Sequence, residues 1–416
     1  MFSFNGYEIN RSEGKIAFKY ELAHEGETFS FAEKISFDPK QADFKRAPDT
    51  VLTNALDTLS LILGISYWKL FCPKELRLPN IALTSAQAQF WNTVYTKGLG
   101  EFFYKNKIDF RGLVNFPTTS GAPGAPEPVP NTGRSLVLWG GGKDSIVTAE
   151  LFKKEKKDFD LFSLNDYSIQ RETAKIAGKD LLIFKREIDP LLLELNKRPG
   201  VYNGHVPVSV VYSATALLAA LLYGYDSVVI SCEESANYGN VEYLGESINH
   251  QWSKSEEFEK MFSRYIARYI TPSVDYHSAL RKYSELEITA LFSKYPQYFF
   301  SFSSCNKNFT IEKNKGGLPA RTSVGGWCGE CPKCAFVFAM LAAYIPKETV
   351  VKIFGKNLFN EPALTTIYRS LLGRGKVKPF DCVGTPEETV RAFELARQKG
   401  EYAEDVIMKE YETIRA

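Results

Sequence analysis

The chain lacks an excess of charge of either sign: 51 Lys and Arg stand against 49 Asp and Glu, a net +2 over 416 residues. That balance excludes a global attraction to nucleic acid or to anionic membranes. Long hydrophobic runs are also missing. Val51 to Trp68 is interrupted by Asn54 and Asp57, and Ala214 to Tyr225 is too short to span a bilayer, so no membrane insertion is expected. Met1-Phe2-Ser3-Phe4-Asn5 has no basic stretch leading into an apolar one, so no secretory signal and a cytoplasmic setting are expected. A Walker A string is absent, because Gly373-Arg374-Gly375-Lys376 runs into Val377 without the hydroxyl that such a loop needs; it reads as a basic, solvated or substrate-facing loop. Histidine is scarce, with four in the chain, and the seven cysteines are an odd number that does not suit a disulfide framework.

What is present reads as an ordinary globular composition, 44% hydrophobic and 24% charged, at a length that argues for more than one domain. Ile16, Phe18, Tyr20 and Leu22 alternate with polar neighbours, which predicts half-buried antiparallel strands in the first forty residues. Val51 to Leu70 reads as a buried helix, and residues 1–116 together as an N-terminal α+β module. The proline- and glycine-rich segment 117–133 has the composition of a linker.

Beyond it the pattern becomes strand, turn, helix. Leu136 to Trp139, Asp160 to Leu164, Leu181 to Phe184 and Ser227 to Ser231 are short apolar runs, and Ser209 to Tyr223 is an apolar helix. This alternation predicts a doubly wound parallel α/β sheet over 134–300, with its ligand crevice at the strands' carboxyl ends. Residues 301–416 read as a cysteine cluster followed by helices. Helix starts are expected at Ser253 to Glu256, at Ser284 to Glu287, and at Thr385-Pro386-Glu387-Glu388 with Gly400 as the stop.

Three strings carry chemistry. Gly140-Gly141-Gly142-Lys143-Asp144-Ser145 sits where a strand gives way to a helix. Glycines there admit a phosphate close to the backbone, and the helix start attracts an anion; Lys143 adds charge, Asp144 suits magnesium and Ser145 offers a hydroxyl. A ligand-free βα turn is the bland alternative. Cys328, Cys331 and Cys334 crowd one tight turn, and Cys305 is the nearest unused thiol. Together they suit a closed structural zinc site, with free buried thiols or an iron-sulfur site as alternatives, while Cys72, Cys232 and Cys382 read as isolated core residues. Finally, Glu233 and Glu234 emerge after a strand, and His250 and Lys254 lie in Asn249-His250-Gln251-Trp252-Ser253-Lys254-Ser255; His205 is a second notable histidine.

Gly140 to Ser145 resembles the PP-loop of the ATP pyrophosphatases, Ser-Gly-Gly-x-Asp-Ser, with Gly140 in place of the leading serine. Combined with the cysteine cluster it is similar to the cyano-deazaguanine synthases, which are much shorter. Over nearly the whole chain, the N-terminal strands, the PP-loop, Asn249-His250-Gln251, the Trp327 to Cys334 cluster and Lys378 to Thr385 resemble the MurL family. Those are ATP-dependent epimerases acting on UDP-N-acetylmuramoyl-L-alanyl-L-glutamate. The resemblance implies a HUP-like PP-loop fold, ATP and magnesium as cofactors, adenylation of the terminal glutamate, its inversion to the D form and release of AMP and pyrophosphate. It implies phosphate binding by Gly140, Gly141, Gly142, Lys143, Asp144 and Ser145, and a small nucleotide-sugar dipeptide as partner. His250, Lys254, Glu233 and Glu234 are proton-shuttle candidates by placement, and Arg321, Lys254 and Arg374 are candidate contacts for diphosphate or carboxylate. Another PP-loop enzyme, such as a nucleobase-modifying synthase, an amide ligase or a tRNA thiolase, is the rival reading, and a non-catalytic nucleotide binder the other.

Overall fold

A computed structural model describes residues 1–119, 125–308 and 326–415. The N-terminal strands β1 (Phe2–Asn10), β2 (Lys15–His24) and β3 (Glu27–Ser36) form an antiparallel meander, with Ile16 opposite Ile35 and Tyr20 opposite Phe31. The β2–β3 hairpin turns on two residues, Glu25 and Gly26, both at positive φ, the backbone pattern that matches the twist of paired strands. Helix Asp49–Trp68 lies against this meander and against helix Val208–Tyr223. By length and composition it would cross a membrane, yet 78% of its most apolar window is buried inside the protein, as expected of a core helix.

After β4 (Leu76–Arg77) come the short strands β5 (Ser135–Leu138), β6 (Phe159–Leu164), β7 (Leu181–Glu187) and β8 (Ser227–Ile230). β9 (Val241–Tyr243) and β10 (Glu246–Ile248) form a separate hairpin, and β11 (Asp275–Ser278) closes the series. One nine-stranded sheet results, in the order β11-β8-β5-β6-β7-β3-β2-β1-β4. The five strands from β11 to β7 are parallel, as the alternation of strands and helices predicts. The chain lays β6 and β7 on one side of β5, then crosses to lay β8 and β11 on the other. The direction of winding therefore reverses between β5 and β8, where such sheets open their ligand crevice.

The N-terminal meander joins this sheet edge-on, β3 pairing antiparallel with β7 from Lys34–Glu187 to Ser36–Lys185. Alternate residues of the central strands serve two cores. Leu136, Phe162 and Val228 belong to an apolar cluster with the meander and its helices, while Val137, Leu161 and Val229 face a second cluster built around helix Pro332–Ala342. Both faces of these strands are covered, which is why they read as unbroken apolar runs.

Two of the three expected helix starts match their capping boxes, Ser284 with Glu287 and Thr385 with Glu388. The third is displaced. Ser255, not Ser253, caps helix Glu256–Tyr269 by accepting from the Phe258 amide, because Trp252–Lys254 is taken up in a short 3-10 turn.

Candidate active site

The phosphate-loop candidate leaves the carboxyl end of β5 and opens helix Lys143–Lys154. Gly141 has φ +72°, and a Cβ there would lie 2.8 Å from Ile169 Cγ2, so the turn admits only glycine without strain. Gly140 is different: it is exposed, its φ is ordinary, and a Cβ would meet nothing within 4 Å. The loop therefore has room for the serine of the resembled signature. Ser145 Oγ donates to the Gly142 carbonyl at 3.0 Å.

Behind the loop lies a buried charge cluster. The Lys143 ammonium, 1% exposed, bonds both Asp144 and Glu285, the latter also 1% exposed and the first residue of helix Glu285–Phe292. Burial alone would lower the Lys143 pKa, but the two carboxylates outweigh it and raise it. Asp144 is held below the usual carboxylate range by Lys143 against the effect of its own burial. Burial pushes Glu285 up despite Lys143, and Lys333 stands 4.0 Å from its other oxygen. Glu388 accepts from the Glu285 amide at 2.7 Å and closes the C-terminal helices onto the site.

Glu233 and Glu234 follow β8, as expected, but diverge: Glu233 is buried and Glu234 is exposed on the turn Glu234–Asn237. Arg281 ties the neighbouring loops together, donating to the backbone carbonyls of Glu233 and Lys254 at 2.7 Å each and to the Glu259 carboxylate at 2.8 Å. Arg374 lies on an exposed loop, and Arg321 lies outside the described residues.

Lys254 and His250 converge on a residue that sequence reasoning assigned to the core. Cys382 Sγ accepts from Lys254 Nζ at 3.1 Å and lies 3.9 Å from His250 Nε2. On its other side the His250 ring bonds Glu101 through Nδ1. His205 stands beside it, its Nδ1 3.5 Å from Glu101 and the two imidazoles 4.7 Å apart between centres. Burial would raise the Cys382 thiol, yet Lys254 and His250 bring it down to about 5. His250 is raised to about 9 against its burial, chiefly by Cys382 and Glu101, and Glu101 is held down at about 2 by the same partner despite its own burial. These contacts and directions favour the thiolate, imidazolium and carboxylate forms in one chain of side chains. Glu101, His205 and His250 also bring ligand atoms within 4.8 Å of one another, but Lys105 on Glu101 already supplies the cation there.

The two groups of charges are electrostatically linked. Lys254 and Lys333 act electrostatically on both Asp144 and Cys382, and Asn306 bonds Asp381 across the loop that faces Gly142. Cys382, Glu101 and Glu285 were missed in the sequence. The signal at hand for Cys382 was its place in Lys378 to Thr385; for Glu285 it was a helix start read only as a cap.

Cys328, Cys331 and Cys334 come together with Cys305, the nearest other thiol in the sequence, each offering a sulfur within 4.8 Å of the other three. Cys328 and Cys334 Sγ are 3.6 Å apart, close to the edge of a tetrahedron with metal-sulfur bonds of about 2.3 Å. Cys331 caps helix Pro332–Ala342, its sulfur accepting from the Cys334 amide at 3.4 Å.

Fold and site together define an α/β protein with a glycine turn at the sheet's switch point, a buried ion-pair cluster behind it and, beside it, a cysteine held between a lysine and a histidine. The sequence pattern of the MurL N-terminal domain matches residues 1–279 and that of the MurL C-terminal domain residues 301–415. The chain belongs to the MurL family. It is 39% identical over 363 residues to a protein of Xanthomonas oryzae pv. oryzae named UDP-N-acetyl-alpha-D-muramoyl-L-alanyl-L-glutamate epimerase, covering 87% of this chain and 78% of that one. Relatives of the same name from a Micromonospora species and from Salinispora tropica are 34% and 35% identical, over 98% and 95% of this chain and 89% and 84% of theirs.

Proposed function

We propose that this chain inverts the terminal L-glutamate of UDP-N-acetylmuramoyl-L-alanyl-L-glutamate to D-glutamate, in the synthesis of peptidoglycan precursors, with ATP split to AMP and pyrophosphate. The observation that carries this reading is the glycine turn beside a group of contacting titratable side chains, in a chain whose relatives bear that epimerase's name. An α-proton next to a carboxylate is hard to remove because a second negative charge would build beside the first. Joining the carboxylate to AMP removes that charge and makes the proton accessible to a base.

In this reading the sheet is of the PP-loop, HUP-like type. Gly141 and Gly142 bring backbone to the phosphates, Ser145 and Gly140 border them and Lys143 offsets their charge. Asp144, a quarter exposed at the turn, fits a magnesium ligand; magnesium would screen the phosphates of ATP. Four converging thiols fit zinc in a closed, structural role, which joins the segment bearing Cys305 to helix Pro332–Ala342. The substrate is a small nucleotide-sugar dipeptide met in the cytoplasm, without nucleic acid or membrane insertion.

The test is incubation of the purified protein with ATP, magnesium and this substrate, following AMP and the chirality of the glutamate. D-Glutamate appearing with AMP is expected. AMP without inversion would make the chain another adenylating enzyme, and the absence of both products would refute the reading.

A further inference from the structure

We propose that Cys382 is the base that takes the α-proton of the activated glutamate, with Lys254 and His250 positioned to hold its sulfur as the thiolate. This rests on the epimerase reading above and deepens it by assigning the residue that performs the inversion.

Of the nitrogen groups gathered around Cys382, none is placed to act as a base. Lys254 is an ammonium ion, its pKa raised against burial by Cys382, Cys232 and Glu233. His250 has both nitrogens engaged, Nδ1 with Glu101 and Nε2 with the sulfur, and as an imidazolium it has no free lone pair. His205 is neutral but turned toward Glu101. The Cys382 sulfur keeps lone pairs, and the ammonium and imidazole beside it favour its charged form. A packing cysteine behaves otherwise: burial pushes Cys72 and Cys232 up to about 12. Burying a lysine and a histidine to stabilise a thiolate costs desolvation that a structural residue would not require.

A second observation marks the same spot as a place for a ligand. Gln251, 3% exposed, donates from Nε2 to the carbonyl of Val383, the residue after Cys382, at 3.2 Å. Its Oε1 is buried without a hydrogen-bond partner among the described residues. An unfilled acceptor on the side chain that bonds the residue after Cys382 suits an N–H donor, and the substrate's peptide amide adjoins its reacting carbon.

In the step itself the Cα–H bond breaks and an S–H bond forms, while the electron pair moves into the adjoining acyl group and charge builds on its oxygen. That carbanion then takes a proton on the opposite face from a solvent-exchanged donor, and the thiol returns its proton to water. Protons and charge balance, and each turnover brings a solvent hydrogen to Cα.

The experiment is turnover in heavy water, comparing wild type with Cys382→Ala for deuterium at the glutamate Cα and for substrate-dependent exchange of pyrophosphate into ATP. Deuterium incorporation is expected to fall by roughly 10²–10⁴-fold in the variant, with pyrophosphate exchange far less affected. A variant that incorporates deuterium within tenfold of wild type would overturn the assignment while leaving the epimerase reading intact. Wild type that exchanges pyrophosphate but takes up no deuterium would overturn that reading and this one with it. Should the variant not fold, native enzyme is alkylated with iodoacetamide at pH 6.5 and the modified cysteines located by peptide mass spectrometry. Loss of deuterium incorporation in step with alkylation of Cys382 supports the assignment; an active, fully alkylated enzyme, or a Cys382 that resists alkylation, overturns it.

Discussion

His205 and His250 share Glu101, yet their protonation is driven in opposite directions. His205 is pushed down to about 3, first by burial and then by the neighbouring charge on His250. In the unfolded chain it would titrate near 6.5. Between those values the unfolded state binds a proton that the folded state does not, so this residue makes stability rise with pH and fall on acidification. His205→Asn removes the effect. Its unfolding free energy, relative to wild type, is expected to increase by about 1 kcal/mol per pH unit from pH 6 to 4, measured by urea titration at each pH; a difference that stays flat would show that His205 is charged in the fold. This scale is also where the sequence was least legible. The partners of Cys382 are 128 and 132 positions away along the chain, and the two histidines that meet Glu101 are 104 and 149 away from it. No spacing rule reaches that far. Residue type alone makes a single cysteine look like packing.

Local elements were far more legible, because what specifies them is local. The glycine turn, the cysteine turn and two capping boxes follow from residues within six positions of each other. Within the glycine turn the glycines are nonetheless unequal. At Gly141 a side chain would adopt φ +72° and press on Ile169, so Gly141→Ala is expected to cost at least about 1–2 kcal/mol and to abolish ATP-dependent turnover. Gly140→Ser places its Cβ in open space and is expected to stay within about 0.5 kcal/mol of wild type. Thermal unfolding of the two variants checks both values, and equal losses would mean that the turn is not held as described. The cysteine turn allows a parallel test: metal analysis is expected to find one zinc per chain, and Cys305→Ser to weaken its retention against a chelator. Zinc bound equally well without Cys305 would exclude it as the fourth ligand.

At the scale of the molecule, the short parallel strands could be read as buried, but their order could not, since strand order is set by long crossovers and by the two cores that the strands separate. The composition of segment 117–133 suggested a boundary, whereas the hydrogen bonds of the sheet run on from β7 to β3. That junction carries one buried ion pair: Arg186 Nε donates to Glu33 Oε1 at 2.6 Å and Nη2 to Ser66 Oγ at 3.2 Å, with Glu33 fully buried. Arg186→Met strands the Glu33 charge, an expected loss of about 3–5 kcal/mol. Replacing both partners with apolar residues should recover most of it, because the penalty lies in the unpaired charge. The same junction predicts how the chain unfolds. Trp68 and Trp91 report on the core under the meander, Trp139 and Trp327 on the core of the opposite face. If the sheet couples the two, urea unfolding of single-tryptophan variants from each side is expected at one midpoint, shifting together when Arg186 is replaced. Two separated midpoints, with only the N-terminal one moved by Arg186→Met, would mean instead that the meander folds as a unit of its own and that the shared sheet transmits little stability between the cores.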